Sequence, residues 1–170
     1  YQAVGLEATE AKVSVTEAMN VVVESRNSKY AKGVWLKDGE LTAGDVSINV
    51  KGRADTGSNY KADGFLADES TVTTGSLNIS VTNTDKASGI ILGDSVTMTV
   101  NDLTILAKSD DRVGVGIDTH AEATEKSTLV VTGRTDIRAE GVMARGLALE
   151  YAGTEFNGEA RIEASGKQSA

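Results

Sequence analysis

The chain has 170 residues and contains no cysteine and no proline; only 4% of its residues are aromatic, and 18 are glycine. Its formal net charge of −8 argues against a nucleic-acid partner and against electrostatic docking on anionic lipid. The absence of cysteine excludes a disulfide framework. The chain contains no run of about 18 consecutive apolar residues, so the sequence predicts no membrane-spanning helix.

The first thirty residues allow two interpretations. Residues 6–24 include Glu, Ala, Met and Lys, which would suit an amphipathic helix. Residues 11–15 instead alternate between polar and apolar types, and Val21-Val-Val23 is poor helix material. We therefore expect strands here, with Ala3-Val-Gly-Leu6 as a degenerate first copy of the repeat that follows.

A short phrase that opens with glycine recurs along the chain. The five copies are Gly33-Val-Trp-Leu36, Gly64-Phe-Leu-Ala67, Gly89-Ile-Ile-Leu92, Gly116-Ile-Asp-Thr119 and Gly141-Val-Met-Ala144. The glycines are separated by 31, 25, 27 and 25 residues. Self-similarity at such a period is typical of a fold that stacks one structural unit upon the next.

Each repeat contains three patches with the period-two alternation of strands. The first patch is the glycine phrase itself. The second patches are Glu40–Ala43, Thr71–Thr73, Val96–Val100 and Leu147–Leu149. The third patches are Val46–Val50, Leu77–Val81, Leu103–Ile105, Leu129–Val131 and Ala160–Ala164. We predict an all-β fold: a right-handed, single-stranded parallel β-helix (β-solenoid) of about six coils with three short strands per coil, forming one domain over residues 1–170.

The glycine phrase also predicts which side chains face outward. If its second and fourth positions point into the core, the third position points out. The outward set is Trp35, Leu66, Ile91, Asp118 and Met143. Its four apolar members would form a ridge across the coils, and contiguous exposed apolar surface usually marks an interaction site. A reversed phase, or a connector folded over the ridge, would remove this candidate binding surface.

Tyr30 and Tyr60 occupy similar places in successive connectors, a few residues before the repeat glycine. They are candidates for mutual packing or for an aromatic surface that fits a sugar ring. Thr71-Val-Thr73 and Thr97-Met-Thr99 suggest the threonine array of an ice-binding solenoid. That array is broken by the counterparts that we align with them, namely Leu41–Ala43, residues 121–123 and Leu147–Leu149.

The charged residues do not form a recognisable catalytic set. Carboxylates are plentiful in the predicted turns, but no strand carries an Asp-x-Asp pair, and Asp110-Asp111-Arg112 falls in a connector. The single histidine, His120, lacks a second histidine or a nucleophile and is interpreted as a surface residue. Zinc-ligand spacings, calcium repeats and phosphate-binding glycine loops do not occur. We expect no enzyme activity, no catalytic residue, no metal and no cofactor.

The repeats resemble those of autotransporter passenger domains, in which Gly-aliphatic-x-Leu leads through an acidic or glycine turn to Leu/Val-Thr strands. The matching residues run from Gly33 to Thr42, continue at Val50-Lys-Gly52 and recur from Gly89 to Thr97. The resemblance is compositional and covers nearly the whole chain. It implies secretion through a bacterial outer membrane and a role in adhesion. The chain begins at Tyr1, and we expect a fragment whose translocator barrel and membrane attachment lie in a missing C-terminal region.

The leading functional expectation is thus a non-catalytic rod, secreted or on a bacterial cell surface, that mediates adhesion or self-association through one lateral face. Its partner would be a protein or glycan on a cell surface, or copies of itself. The alternative is a carbohydrate-active β-helix, such as a polysaccharide lyase or hydrolase or a phage tailspike segment. A groove lined by carboxylates and aromatic side chains on one face would favour that alternative.

Overall fold

A computed structural model describes residues 2–26, 28–53, 60–120 and 125–166. These residues form strands and turns only, so none belongs to a helix that could cross a bilayer. The strands are β1 (Gln2–Thr9), β2 (Lys12–Glu24), β3 (Tyr30–Lys37), β4 (Glu40–Lys51), β5 (Lys61–Asp68), β6 (Thr71–Asn83), β7 (Lys86–Leu92), β8 (Thr97–Ser109), β9 (Val113–Thr119), β10 (Ser127–Val131), β11 (Thr135–Gly141), β12 (Met143–Ala148), β13 (Ala152–Phe156) and β14 (Ala160–Gly166).

The strands stack into two parallel sheets that share one interior. One sheet has six strands in the order β1-β3-β5-β7-β9-β12. The other has eight, with β2, β4, β6 and β8 in order, followed by β10 and β11 and then by β13 and β14. Each of six coils contributes to both sheets, and every pairing between coils is parallel. The predicted parallel β-solenoid of about six coils is confirmed.

The prediction of three strands per coil holds only for the last two coils. In the first four, the second and third patches run on as one strand of 12 or 13 residues. In the fifth coil a break separates β10 from β11, and there the Asp102 side chain accepts a hydrogen bond from the Arg134 amide at 2.7 Å. The first thirty residues form β1 and β2, so the strand prediction for them is confirmed and the helical alternative is wrong.

A column of glycines faces a column of β-branched residues across the interior. The glycines are Gly5, Gly33, Gly64, Gly89, Gly116 and Gly146, and the facing residues are Val21, Ile48, Ile79, Ile105, Ile137 and Ile162. A Cβ at Gly64 would overlap Ile79 Cγ2 and lie 2.6 Å from the Gly89 carbonyl oxygen. No described glycine has a positive φ, so close packing and not turn geometry requires these glycines.

The alignment of repeats is wrong from the fifth coil onward. Gly146, not Gly141, stacks on Gly116, because Leu147 pairs with Ile117 in the six-stranded sheet. Gly141 instead ends β11, and the predicted third patch Leu129–Val131 lies in β10, which continues the second patch of β8. The sequence misleads here because Gly141-Val-Met-Ala144 imitates the apolar phrase.

The predicted inward and outward phase is confirmed for four phrases. Their second and fourth positions are buried, and their third positions are only partly buried. The inward residues are Val34, Leu36, Phe65, Ala67, Ile90, Leu92, Ile117 and Thr119. The prediction fails for the misaligned fifth phrase, whose Val142 is 41% exposed.

The chain passes from the six-stranded to the eight-stranded sheet through a left-handed corner residue. The described corner residues are Glu10, Asp38, Glu69, Ser95 and Tyr151, with φ values of 51°, 50°, 45°, 49° and 52°. Left-handed backbone costs about 1–2 kcal/mol for a non-glycine residue. Four of these corner amides offset part of this cost by donating hydrogen bonds to the next coil, as Asp38 does to the Asp68 carbonyl oxygen; the acceptors are the carbonyl oxygens of Lys37, Asp68, Asp94 and Glu125.

Candidate binding face

Three apolar side chains of the predicted ridge lie side by side on the outer surface of the six-stranded sheet. Trp35 pairs with Leu66, and Leu66 pairs with Ile91. All three are half-buried, as is expected of side chains that cover one another along a sheet face. We call these residues the apolar row. The row is flanked by Glu7 at one end and by Asp118 at the other.

Met143 is not part of the apolar row, and its predicted placement there is wrong. It pairs with Val113, and the position that follows Asp118 in the row is taken by Ala148. Met143 is 57% exposed and belongs to a different outward column, which also contains Tyr30, Lys61 and Lys86. The misaligned fifth repeat accounts for the error.

Tyr30 and Tyr60 do not occupy equivalent positions. Tyr30 lies in β3 and pairs with Lys61, so the register places Tyr60 one residue earlier in its coil. The Tyr60 hydroxyl accepts a hydrogen bond from Arg53 Nη1 at 2.7 Å, and its ring lies 4.8 Å from the Arg53 guanidinium carbon. Tyr30, in contrast, lines a cavity on the outer surface of the six-stranded sheet.

Three lysines surround that cavity, and the sequence patterns pointed to none of them. Lys32 Nζ lies 3.5 Å from the centroid of the Trp35 ring, and burial lowers its pKa against the opposing effects of Asp63 and Glu7. Lys86 Nζ is 2.9 Å from Asp118 Oδ2. Lys61 is exposed in the same column as Lys86. The cavity therefore has a cationic rim, although the chain as a whole is acidic.

A buried carboxyl group lies among these lysines. Asp63 is only 4% exposed and pairs with Lys32 on one side and with Ser88 on the other. Burial raises its pKa, while Lys86, the Ser88 hydroxyl, Lys61 and Lys32 oppose the shift in that order. The Ser88 hydroxyl is close enough to lower the pKa of Asp63, although no hydrogen bond of ordinary geometry joins Asp63 Oδ1 to Ser88 Oγ. The sequence signal was present: an aspartate directly before a repeat glycine.

The other charged candidates lie away from this cavity or at its edge. Asp110 and Asp111 are exposed in the turn before β9, as was predicted for that connector. His120 is also exposed and lies at the cavity's edge, with Nε2 3.5 Å from Asp118 Oδ2. Across the described ranges, no cluster of three or more His, Asp or Glu residues has metal-binding geometry.

Two corner acids interact on a different edge of the solenoid. The Asp38 carboxyl group lies beside that of Glu69 in the next coil and raises the pKa of Glu69 by hydrogen bonding and charge repulsion. Both residues line a shallow cleft with Glu10 and Glu40. Glu10, Asp38 and Glu69 lie at turns, where plentiful carboxylates were predicted, and Glu40 begins β4.

The threonines of the eight-stranded sheet form longer rows than predicted. One outward row runs through Ser14, Thr42, Thr73 and Thr99 in successive coils and ends at Val130. The predicted counterpart Leu41–Ala43 is one residue out of register, Leu147 lies in the other sheet, and residues 121–123 lie outside the described residues. A complete Thr-x-Thr unit still occurs in only two of the described coils, so the regular array that ice binding requires is not formed.

Comparisons with protein-family models, curated proteins and solved structures give no match to this chain. The resemblance to autotransporter passengers therefore depends on the repeat phrases alone, since a solenoid shape is shared by unrelated families.

Proposed function

We propose that the chain is a non-catalytic binding rod that holds a partner against the outer surface of its six-stranded sheet. The contiguous apolar row of Trp35, Leu66 and Ile91 is the observation that carries this proposal. Aromatic and aliphatic side chains at the centre of a patch, with polar side chains at its rim, are typical of protein interaction surfaces.

The opposite sheet supports the proposal by contrast. Its outward apolar side chains are isolated: Val22 and Leu106 occupy one column but are separated by Asn49 and Ser80, and Val130 stands in another. Stacking of the coils does not require apolar residues on an outer surface, because the core lies between the sheets. Among the residues that the structure describes, an uninterrupted apolar row lies on one surface only, and a partner explains it better than the stacking of coils.

The charge distribution suggests how a partner would be oriented. With a net charge of −8, most of the rod repels anionic surfaces, whereas Lys32, Lys61 and Lys86 make one area of this face cationic. Such an asymmetry would steer an anionic partner to the lateral face and away from the rest of the rod. Several copies of such a stiff rod on one surface would engage the partner together, which raises avidity without new contacts.

In this proposal the rod acts outside a bacterial cell, free or attached to the surface, as in the autotransporter passengers that its repeats resemble. Its partner is a protein or a glycan on a cell surface, or a second copy of the chain. No cofactor is needed, because binding alone is the function.

The test compares two triple variants displayed on beads. One replaces the apolar row (Trp35→Ser, Leu66→Ser, Ile91→Ser), and the matched control replaces outward apolar residues of the other sheet (Val22→Ser, Leu106→Ser, Val130→Ser). We expect the first to reduce bead clustering and binding to cultured cells by at least about tenfold, since three apolar contacts each contribute on the order of 1 kcal/mol or more. Equal losses in both variants, or none in the first, would contradict the proposal, provided that both variants retain their β circular dichroism.

The buried Asp63 carboxyl group favours the carbohydrate-active alternative as a second candidate. Glycosidic cleavage ordinarily uses two carboxyl groups on either side of the bond, and the Asp118 carboxylate is already held in an ion pair by Lys86. Incubation of the chain with acidic and neutral polysaccharides, followed by a reducing-end assay, decides between the two. Product formation that Asp63→Asn abolishes would replace the binding rod with an enzyme.

A further inference from the structure

The cavity beside the apolar row is a concave site with three kinds of lining. It has a volume of about 300 Å³, at the lower end of the range for small-molecule sites. Lys32, Lys61 and Lys86 form its cationic rim, Leu66 and Ile91 form an apolar wall, and Asp63 lies among them.

Unmet hydrogen bonding indicates that part of a ligand belongs there. Asp63 lines the cavity, and its Oδ1 atom is buried without a hydrogen-bond partner, although buried polar groups in proteins are nearly always satisfied. A hydroxyl group is a ligand feature that fits this oxygen, because it donates a hydrogen bond to a carboxylate.

The rim indicates the charge of the ligand. Lys86 is held against Asp118, and Lys32 is held over the Trp35 ring, so two of the three ammonium groups are fixed in place. Ammonium groups ordered around a cavity suit a carboxylate or another compact anion. The apolar wall of Leu66 and Ile91 suits the C–H face of a ring.

We propose that this cavity binds a carboxylate-bearing sugar unit, such as a hexuronic acid of an acidic polysaccharide. Its carboxylate lies between the lysines, a ring hydroxyl donates to Asp63, and its C–H face packs on Leu66 and Ile91. The inference rests on the proposed function, for which it supplies the chemical class of the partner. An acidic peptide is the weaker candidate, because a Glu or Asp side chain brings no hydroxyl group to satisfy Asp63.

The experiment is an NMR titration of the ¹⁵N-labelled chain with three probes. They are methyl β-D-glucuronide, methyl β-D-glucoside, which lacks the carboxylate, and glutarate, which lacks the ring. For one sugar unit we expect a Kd on the order of 1 mM for the glucuronide. The glucoside should bind about tenfold more weakly, because it loses the charged contact. Glutarate carries a second carboxylate but should also bind about tenfold more weakly, because it has neither the ring hydroxyl nor the C–H face.

Single substitutions distinguish a specific sugar site from a nonspecific cluster of charges. Lys61→Gln should weaken glucuronide binding several-fold, whereas the matched control Lys108→Gln, on the outer surface of the other sheet, should leave it unchanged. Asp63→Asn is the sharper test. If Asp63 accepts the ring hydroxyl, this variant weakens the glucuronide about tenfold and leaves glutarate unaffected.

The opposite pattern would overturn the inference. If Asp63→Asn tightens glucuronide and glutarate alike, Asp63 merely repels anions and the cavity is a general anionic-ligand patch. If no probe binds while the apolar-row variant still loses cell or bead binding, the sugar assignment fails and the lateral binding face stands. If the parent chain binds glucuronide but the apolar-row variant still adheres fully, the sugar site stands and the apolar row is not the adhesive surface.

Discussion

The two sheets of this solenoid share one interior but differ on their outer surfaces. Inside, each coil repeats the same contacts, and the glycine column of one sheet fits the β-branched column of the other. Outside, the eight-stranded sheet carries hydroxyl rows and isolated apolar side chains, whereas the six-stranded sheet carries the apolar row, three lysines and a buried aspartate.

This difference separates what stacking requires from what it does not. An interior position meets the coil above, the coil below and the facing sheet, so a change there disturbs several contacts at once. An outer position meets only its neighbours in the same sheet. Non-repeating outer features such as Asp63 therefore do not arise from the needs of the fold, and they are the places to look for function.

The largest expected effect comes from two adjacent residues that point to opposite sides of β5. Phe65 is fully buried, so Phe65→Ala should lower the free energy of unfolding by about 3–5 kcal/mol. Leu66 is half-buried on the outside, and Leu66→Ala should cost about 1 kcal/mol. Urea denaturation of both variants measures the difference. Similar losses for the two would mean that the inward phase assigned to β5 is wrong.

A smaller but more specific effect is expected at the glycine column. Gly64→Ala should destabilise the chain by about 3 kcal/mol, because the new methyl group meets Ile79 and the Gly89 carbonyl group. Gly146→Ala should cost less, since only Ile162 lies close to it. Gly153→Ala is the control: its Cβ would have open space, so the change should stay within about 0.5 kcal/mol. A flat response across the three glycines would refute close packing as the reason for the repeat.

Asp63 should lower the stability of the fold modestly at neutral pH, although it contributes to the proposed binding site. Its pKa is raised in the folded state, so the folded chain holds this proton more tightly than the unfolded chain, and stability falls as the pH rises from the ordinary value of 3.8 through the raised pKa. Asp63→Asn should therefore raise the urea midpoint at pH 7, and the gain should disappear as the pH falls below 3.8. A variant less stable than the parent at pH 7 would show instead that the charged carboxylate stabilises the fold.

The interior could be predicted from the sequence because its chemistry repeats. The glycine phrase, the alternation around it and the outward place of Trp35 all follow from period and residue type. The sixth coil was misaligned because Gly141-Val-Met-Ala144 has the same local pattern as Gly146-Leu-Ala-Leu149. Only the pairing of Leu147 with Ile117 distinguishes them, and that pairing depends on contacts between coils.

The cavity could be predicted only in part. Lys32, Asp63 and Ser88 each come directly before a repeat glycine, so the repeat already places them in one column, and the pairing of β3, β5 and β7 agrees. Their residue types follow no shared pattern that marks a binding site. The burial of Asp63 and the ion pair between Lys86 and Asp118 depend on side-chain contacts between coils, which the sequence does not show.

Site-specific photo-crosslinking tests most directly which face binds. A photoreactive residue would replace Leu66 in the six-stranded sheet or, as the matched position, Leu106 in the eight-stranded sheet; both leucines are half-buried and point outward. After binding to cells or to other copies of the chain, irradiation should give crosslinked product from position 66 and little or none from position 106. Equal crosslinking at the two positions, or crosslinking from position 106 alone, would contradict a binding face on the six-stranded sheet.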